Sequence, residues 1–549
     1  MSAKAVTSAP AARWTFFLLV IACVLLIARH QWSADIRESD DDVTYLSYAM
    51  SLGIDGDLDF SNELKCCRNM ALNGRVPGGF YGAGLMAAPF VTLFSLVDRA
   101  VRHPVIKDRS QYRHSWSYFG FSFAVHFYFL AAVFLLARTA RSLDRRAGPA
   151  MVLLMAVGSG VYYFVFGRPR MAHGFEFFAL SLALYGGALA ATTLQEKGLR
   201  LWWATGVGAL GAVLTVGVRF SDLNVLLLPV LSLLLVLSLT PSAPPAPSSL
   251  KEFLFRYAIA LCLALFPLGL LNLAVYDHVL LTSRVVYANT TQLTSLESGS
   301  PVIAQWLGLL KNLPVLLFGS EFGLLYTHPV ASLGTGAAIL MLFLQMARRF
   351  TWLSLVALLL VLAYAGFSIM IVLIWKSPGM SFGYRSLFPL FPLGFLGWWL
   401  LVRQCPAMPR NVLMSVMAGL CLLSFAGQAL FTKTRDLGYR PGVSSMGLEG
   451  QSADGFQMAL LRGVATAEPW TVAIKDGPLG FMGKMYFSKP YLDWRIARLQ
   501  GKAVAAPERQ HPPIDGAFLG ILGLMWLFWS ALLLRDRKIA EANDNGMRI

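Results

Sequence analysis

The sequence predicts an all-α polytopic membrane protein. Two observations carry this. Of 549 residues, 56% are hydrophobic and only 14% charged, with a mean hydropathy of +0.58; a soluble domain has about 25% charged residues. Apolar runs recur along the whole chain, each near the ~20 residues needed to cross a bilayer. The net charge of +16 then reflects basic loops on the inner side and contacts with anionic lipid, and calls for no nucleic acid.

The elements follow in order. The first apolar run, Trp14–Ala28, is followed by Arg29 and His30 without a small-residue cleavage site, so it reads as an uncleaved anchor. Further spans are expected at Trp116–Leu136, Ala150–Phe166, Phe175–Ala191, Trp202–Val218, Leu223–Leu239 and Ala258–Val275. Val330–Met346, Thr351–Ile374, Leu387–Val402, Val412–Phe431 and Ala517–Leu534 complete a set of about twelve transmembrane helices. Two stretches are ambiguous: Tyr81–Val97 is rich in Gly, Ala and Pro, and Trp306–Phe318 is short and contains Pro314. Both are assigned as interfacial or re-entrant helices.

Charge sets the sides. With the N-terminus inside, the basic groups Arg138 to Arg146, Lys197 with Arg200, Lys251 with Arg256, Arg348 with Arg349, Arg403 with Arg410, and Arg535 to Lys538 all fall inside, as the positive-inside rule requires. A spanning Tyr81–Val97 would move them outside. The basic stretch Arg99 to Arg113 stays outside under this reading; long loops follow the rule poorly. The chain divides into a core, 1–430, with a first outer loop at 31–115, a small outer insertion at 431–514, α/β-like, and a last helix with tail at 515–549. Pro241 to Ser249 is an inner linker. The six cysteines, with Cys66 and Cys67 adjacent, form neither a disulfide framework nor a metal-ligand spacing.

The outer face collects the unusual polar residues near helix ends. Asp40, Asp41 and Asp42 follow the first span, and a carboxylate tuned by like charges suits a general base; a solvated helix cap is the plainer reading of the triplet alone. Arg168, Arg170, His173, Arg219, Asp222, Glu321, His328, Lys376, Tyr384 and Arg385 lie on the same face. Cations gathered there point to a phosphate-bearing ligand, because Arg and Lys grip phosphate oxygens through charge-assisted bonds. Asp55, Asp57, Asp59 and Glu63 do not have calcium-loop spacing, and are read as capping a juxtamembrane helix. No metal and no cofactor is expected.

In order along the chain, six pieces resemble bacterial GT-C-fold glycosyltransferases of the dolichyl-phosphate-mannose mannosyltransferase and aminoarabinose transferase-like superfamily. They are Asp41-Asp42-Val43-Thr44-Tyr45 with Asp55 to Glu63 (a "DGDLDL.NE"-like stretch), Pro77 to Leu85 with Ala88-Pro89-Phe90, Arg170-Met171-Ala172-His173 ("MSHA"), Val218-Arg219 with Asn224 ("VRPTN"), Gly323 to Pro329 ("GLFSWHP"), and Trp375 with Ser381 to Arg385 ("W..G.SFG.RR"). Val43-Thr44 replaces a frequent Pro-His, and Ala172 a serine; the acceptor class stays open.

The resemblance implies a sugar donor on polyprenyl phosphate, a glycolipid or glycan acceptor, and action on the periplasmic side of the inner membrane, by a multi-pass monomer among membrane lipids. It implies Asp41 as the base that activates an acceptor hydroxyl, with Asp42 next. Arg385, Lys376, Arg170, Arg219 and Arg168 become donor-phosphate candidates, and His173, Tyr45, Tyr384, His328 and Glu321 the remaining pocket residues. Alternatives stay open: Arg385 and Lys376 could snorkel to headgroups, and Arg219 could pair internally with Asp222. A lipid-sugar flippase and an oligosaccharide ligase using a pyrophosphate carrier are the competing functions; the absence of a two-half repeat argues against a transporter.

Overall fold

The computed structural model describes residues 8–27, 41–64, 71–72, 75–103, 105, 115–194, 198–240, 247–279, 324–375, 385–436 and 516–544. These residues form an α-helical bundle with one two-residue antiparallel pair, Ala71–Leu72 against Val76–Pro77. Among the described residues, ten helices are long and apolar enough to cross a membrane, and Arg13–Leu25 and Pro149–Val161 are shorter apolar helices. The chain is therefore a multi-pass membrane protein. The expected span at Leu387–Val402 resolves into a short turn, Arg385–Leu387, and a fifteen-residue helix, Leu390–Gln404.

Helix α1 is Ser8–Leu25 and α2 is Asp41–Met50, continued by a π-helical turn, Ser51–Asp55. Helix α3, Gly82–Ala100, is one of the ten apolar helices. At its start, a Cβ on Gly82 would meet the backbone of Gly217 and Val218, the end of α7 (Leu199–Val218). At its finish, Asp98 accepts hydrogen bonds from Trp116 N (2.9 Å) and Ser117 N (2.8 Å), the start of α4 (Trp116–Leu143). These bonds satisfy two of the orphan N–H groups that open every helix. Phe90 and Phe94 pack along α4 on Phe119, Phe123 and Phe127. So α3 lies antiparallel to the first half of α4.

Helix α5 (Pro149–Ala156) is extended by two π-helical segments, Val157–Val161 and Tyr163–Gly167. Such segments widen the turn and free backbone groups. The side-chain amide of Gln428 satisfies two of them, donating to Val157 O (2.9 Å) and accepting from Tyr163 N (3.3 Å). Helices α6 (His173–Thr193) and α7 approach closely because small residues face each other: a Cβ on Gly186 would strike the Gly208 backbone. Apolar side chains gain little by leaving lipid for one another, so such close contact supplies the packing energy. A 3₁₀ stretch, Phe220–Leu227, leads into α8 (Leu228–Leu239), and α9 (Pro247–Tyr276) follows.

The chain continues with α10 (Leu324–Thr327), α11 (Pro329–Arg348), α12 (Trp352–Trp375), α13 (Leu390–Gln404), α14 (Ala407–Asp436) and α15 (Gly516–Asp544). Helix α14 runs on past residue 430, so 431–436 continue a helix. The rest of the expected insertion, together with Trp306–Phe318 and Cys66-Cys67, lies outside the described residues.

The two ends of the bundle differ. At one end Arg410 Nη2 meets Asp144 Oδ2 (2.9 Å), Arg141 pairs with Asp536, and Arg256 Nη1 donates to Gly198 O (2.7 Å). This is the end expected to face inward. The other end carries α2, α3 and the starts of α4 and α6. There Tyr276 Oη donates to Gly79 O (2.6 Å) and Tyr81 Oη to Asn272 Oδ1 (2.6 Å), tying the segment before α3 to the end of α9.

Candidate active site

The site is built from four chain segments at that second end: the start of α2, the turn from Gly167 into α6, the junction from α7 into Phe220–Leu227, and the turn Arg385–Leu387. The π-helical segment before Arg168 shapes the second of these. Gly160 has φ +87°, and a Cβ there would come 2.5 Å from His328 Nε2. Glycine is therefore required by both backbone and neighbour.

Arg168 reaches back to α2. Its Nε and Nη2 both contact Asp42 Oδ2 at 2.6 Å, and Asp42 is 1% exposed. Two nitrogens on one carboxylate, away from water, make a strong directional contact. Asp42 Oδ1 is also buried and has no hydrogen-bond partner among the described residues. Asp41 opens the same helix; its side chain, with Asp40, lies outside the described residues.

His173 opens α6. Its Nδ1 is 2.7 Å from Glu176 Oε2, and its ring packs on Phe164 and Phe388. Arg219, Arg385 and Arg168 all lie within electrostatic reach of this ring. Arg219 Nη1 sits 3.6 Å from Glu176 Oε2 and donates to the Arg385 carbonyl (3.3 Å). Arg219, expected either to meet the ligand or to pair with Asp222, thus also has the carboxylate of Glu176 beside it. His328, fully buried, contacts Thr327 Oγ1 through Nδ1 (2.9 Å) and also packs on Phe388.

Of the five candidate phosphate cations, Arg219 is linked to His173 through Glu176 and to the backbone of Arg385, and Arg168 lies on Asp42. Arg170 is placed differently. It is 1% exposed, and its guanidinium lies 3.8 Å from the centre of the Tyr118 ring, a cation–π contact. Tyr45 is buried in α2. Lys376, Tyr384 and Glu321 lie outside the described residues. Glu176 was not singled out from sequence. The available signal was a lone acid in an apolar span, one helical turn from His173.

The acidic loop is a separate feature. Asp57 Oδ1 accepts from Ser51 Oγ (3.1 Å) and Asp59 N (3.2 Å), and Asp55 Oδ2 accepts from Asn62 Nδ2 (2.7 Å). These are turn-forming bonds, in keeping with a capping role. Among the described residues, no group of three His, Cys, Asp or Glu side chains is placed to hold a metal ion.

Compared by sequence, the chain matches no protein-family profile and no curated protein. By structure, it is similar to the archaeal oligosaccharyltransferase AglB from Archaeoglobus fulgidus in complex with an inhibitory peptide and a dolichol-phosphate. The identity is 14% and the TM-score 0.35, covering 91% of this chain and 61% of that one. For the apo form of the Archaeoglobus fulgidus oligosaccharyltransferase the identity is 13% and the TM-score 0.37, covering 92% and 62%. This chain thus spans under two thirds of the length of either, and a likeness of this extent assigns neither family nor substrate.

Proposed function

We propose that this chain is a GT-C-type membrane glycosyltransferase. It moves a single sugar from a polyprenyl phosphate donor to an envelope glycolipid or polysaccharide acceptor, with inversion. The observation that carries the reading is the linkage of Arg219 to His173 through Glu176 and to the Arg385 backbone, with Arg168 on Asp42 of the helix that opens with Asp41.

In this reaction a carboxylate at the start of α2 takes the proton of the acceptor hydroxyl. The hydroxyl oxygen attacks the sugar C1, the bond from C1 to the phosphate oxygen breaks, and polyprenyl phosphate leaves with the electron pair. One placed base contributes typically ~10²–10⁴-fold; fixed cations that meet charge as it develops on the phosphate supply a further share. Asp42 spends one oxygen on Arg168, which suits it to anchoring the turn, so the base role goes to Asp41 with Asp42 next. Lys376 joins the phosphate group from sequence. The reading uses no metal and no cofactor, and places the site on the periplasmic side of the inner membrane.

The test is to incubate purified protein with a polyprenyl-monophosphate sugar and an envelope lipid extract, and to follow released polyprenyl phosphate by mass spectrometry. Release is expected from wild type and absent from Asp41→Asn, with donor binding kept. Arg385→Ala should lower kcat more than it raises donor KM, and Arg385→Lys should recover only part, since lysine lacks the planar fork. Sugar-lipid crossing a vesicle without release would instead identify a flippase. Release only from a pyrophosphate carrier would identify an oligosaccharide ligase.

A further inference from the structure

Glu176 has no part in the chemistry above, yet it lies at the centre of the site. It is fully buried in the first turn of α6. Its Oε2 is 2.7 Å from His173 Nδ1 and 3.6 Å from Arg219 Nη1. Arg219 in turn donates to the carbonyl of Arg385 at 3.3 Å. Asp222, also fully buried, closes in on Glu176 from the start of Phe220–Leu227. A carboxylate at this depth in a membrane bundle is costly. Its place is favoured by the helix N-terminus and by a spacing of three residues that puts it on the same face as His173.

We infer that Glu176 is a positioning residue for the donor's phosphate. One oxygen holds the His173 ring through Nδ1 and draws in the Arg219 guanidinium, and Arg219 fixes the backbone of Arg385. The carboxylate thereby sets the spacing of two phosphate arginines and the direction in which the imidazole faces. Arginine has many rotamers to lose; without Glu176, Arg219 would sample several of them, and the lipid phosphate would have to order the side chain on binding. This rests on the reading above, in that the arginines meet a lipid monophosphate.

The alternative is that Glu176 only balances buried charge for folding, and a double-mutant cycle separates the two. Binding of a polyprenyl monophosphate to the full chain in detergent is measured for wild type, Glu176→Gln, Arg219→Gln and the double variant, with the melting temperature of each unliganded protein. If Glu176 acts through Arg219, Glu176→Gln weakens binding about tenfold or more, on the scale of one charge-assisted bond. The double variant is then no weaker than Arg219→Gln alone. Penalties that multiply, or wild-type binding by Glu176→Gln, would overturn the inference. Should Glu176→Gln fail to accumulate, Glu176→Asp keeps the charge but withdraws it by one methylene. Weaker binding at an unchanged melting temperature supports positioning, and wild-type binding refutes it. A wild-type protein that binds the lipid phosphate but transfers no sugar overturns the reaction and leaves the role of Glu176 standing; one that does not bind overturns both.

Discussion

Removing Arg168 should loosen α2 by an amount the structure sets. Asp42 is 1% exposed, Arg168 is 16% exposed, and two nitrogens contact one carboxylate oxygen at 2.6 Å. Breaking a buried ion pair from one side costs about 3–5 kcal/mol, mostly from stranding the other charge. Arg168 is near the rim, so water entering its vacated space would partly re-solvate Asp42, and the lower figure, about 3 kcal/mol, applies. At about 1.4 kcal/mol per tenfold, local opening of Asp41–Met50 should rise roughly a hundredfold in Arg168→Ala. Amide hydrogen exchange read by mass spectrometry reports this directly: peptides covering α2 exchange faster by about that factor, while peptides from α8 keep the wild-type rate. Asp42→Asn with Arg168→Gln, a neutral pair, should recover part of the protection. If α2 exchanges at the wild-type rate in Arg168→Ala, the pair does not hold the helix that opens with Asp41, and the argument for a placed base loses its anchor.

Two further outcomes follow from geometry. Burial, with Asp55 and Asp57 nearby, pushes the Glu63 carboxyl up to about 8. Its folded value lies above its unfolded one, so its stabilisation is complete below about pH 4.5 and is lost as pH rises through about 8. Protease cleavage within 51–64 should increase between about pH 5 and 8 and level off above, and Glu63→Gln should flatten that rise. Gly160→Ala places a Cβ 2.5 Å from His328 Nε2 at φ +87°, which should cost about 2 kcal/mol or more and lower the melting temperature. Adding His328→Ala should recover only the contact and leave the backbone strain.

Much of the bundle was legible because the bilayer imposes a one-dimensional rule. A run of apolar residues near the right length must close its own backbone bonds as a helix, so spans such as Trp116–Leu136 and Trp202–Val218 fall inside observed helices. The interfacial reading of Tyr81–Val97 came from charge balance between loops, whereas α3, which covers nearly all of it, is itself long and apolar enough to span. The clustering of polar residues at one end followed from the same parity.

What the sequence determined by itself was the class of protein, the order of its helices and the set of charged residues available at one end. Local patterns suffice for these, because hydropathy and backbone closure act within one segment. The partners were decided only by tertiary structure. Arg168 reaches Asp42 on α2; Arg219 lies against Glu176 in the first turn of α6; Arg170, two residues from Arg168, turns onto Tyr118. Each choice depends on helix rotation and on the wide turns around Gly160, which set where a long side chain can reach. A buried charge takes the partner that packing brings within about 4 Å, and that distance is a property of the assembled bundle.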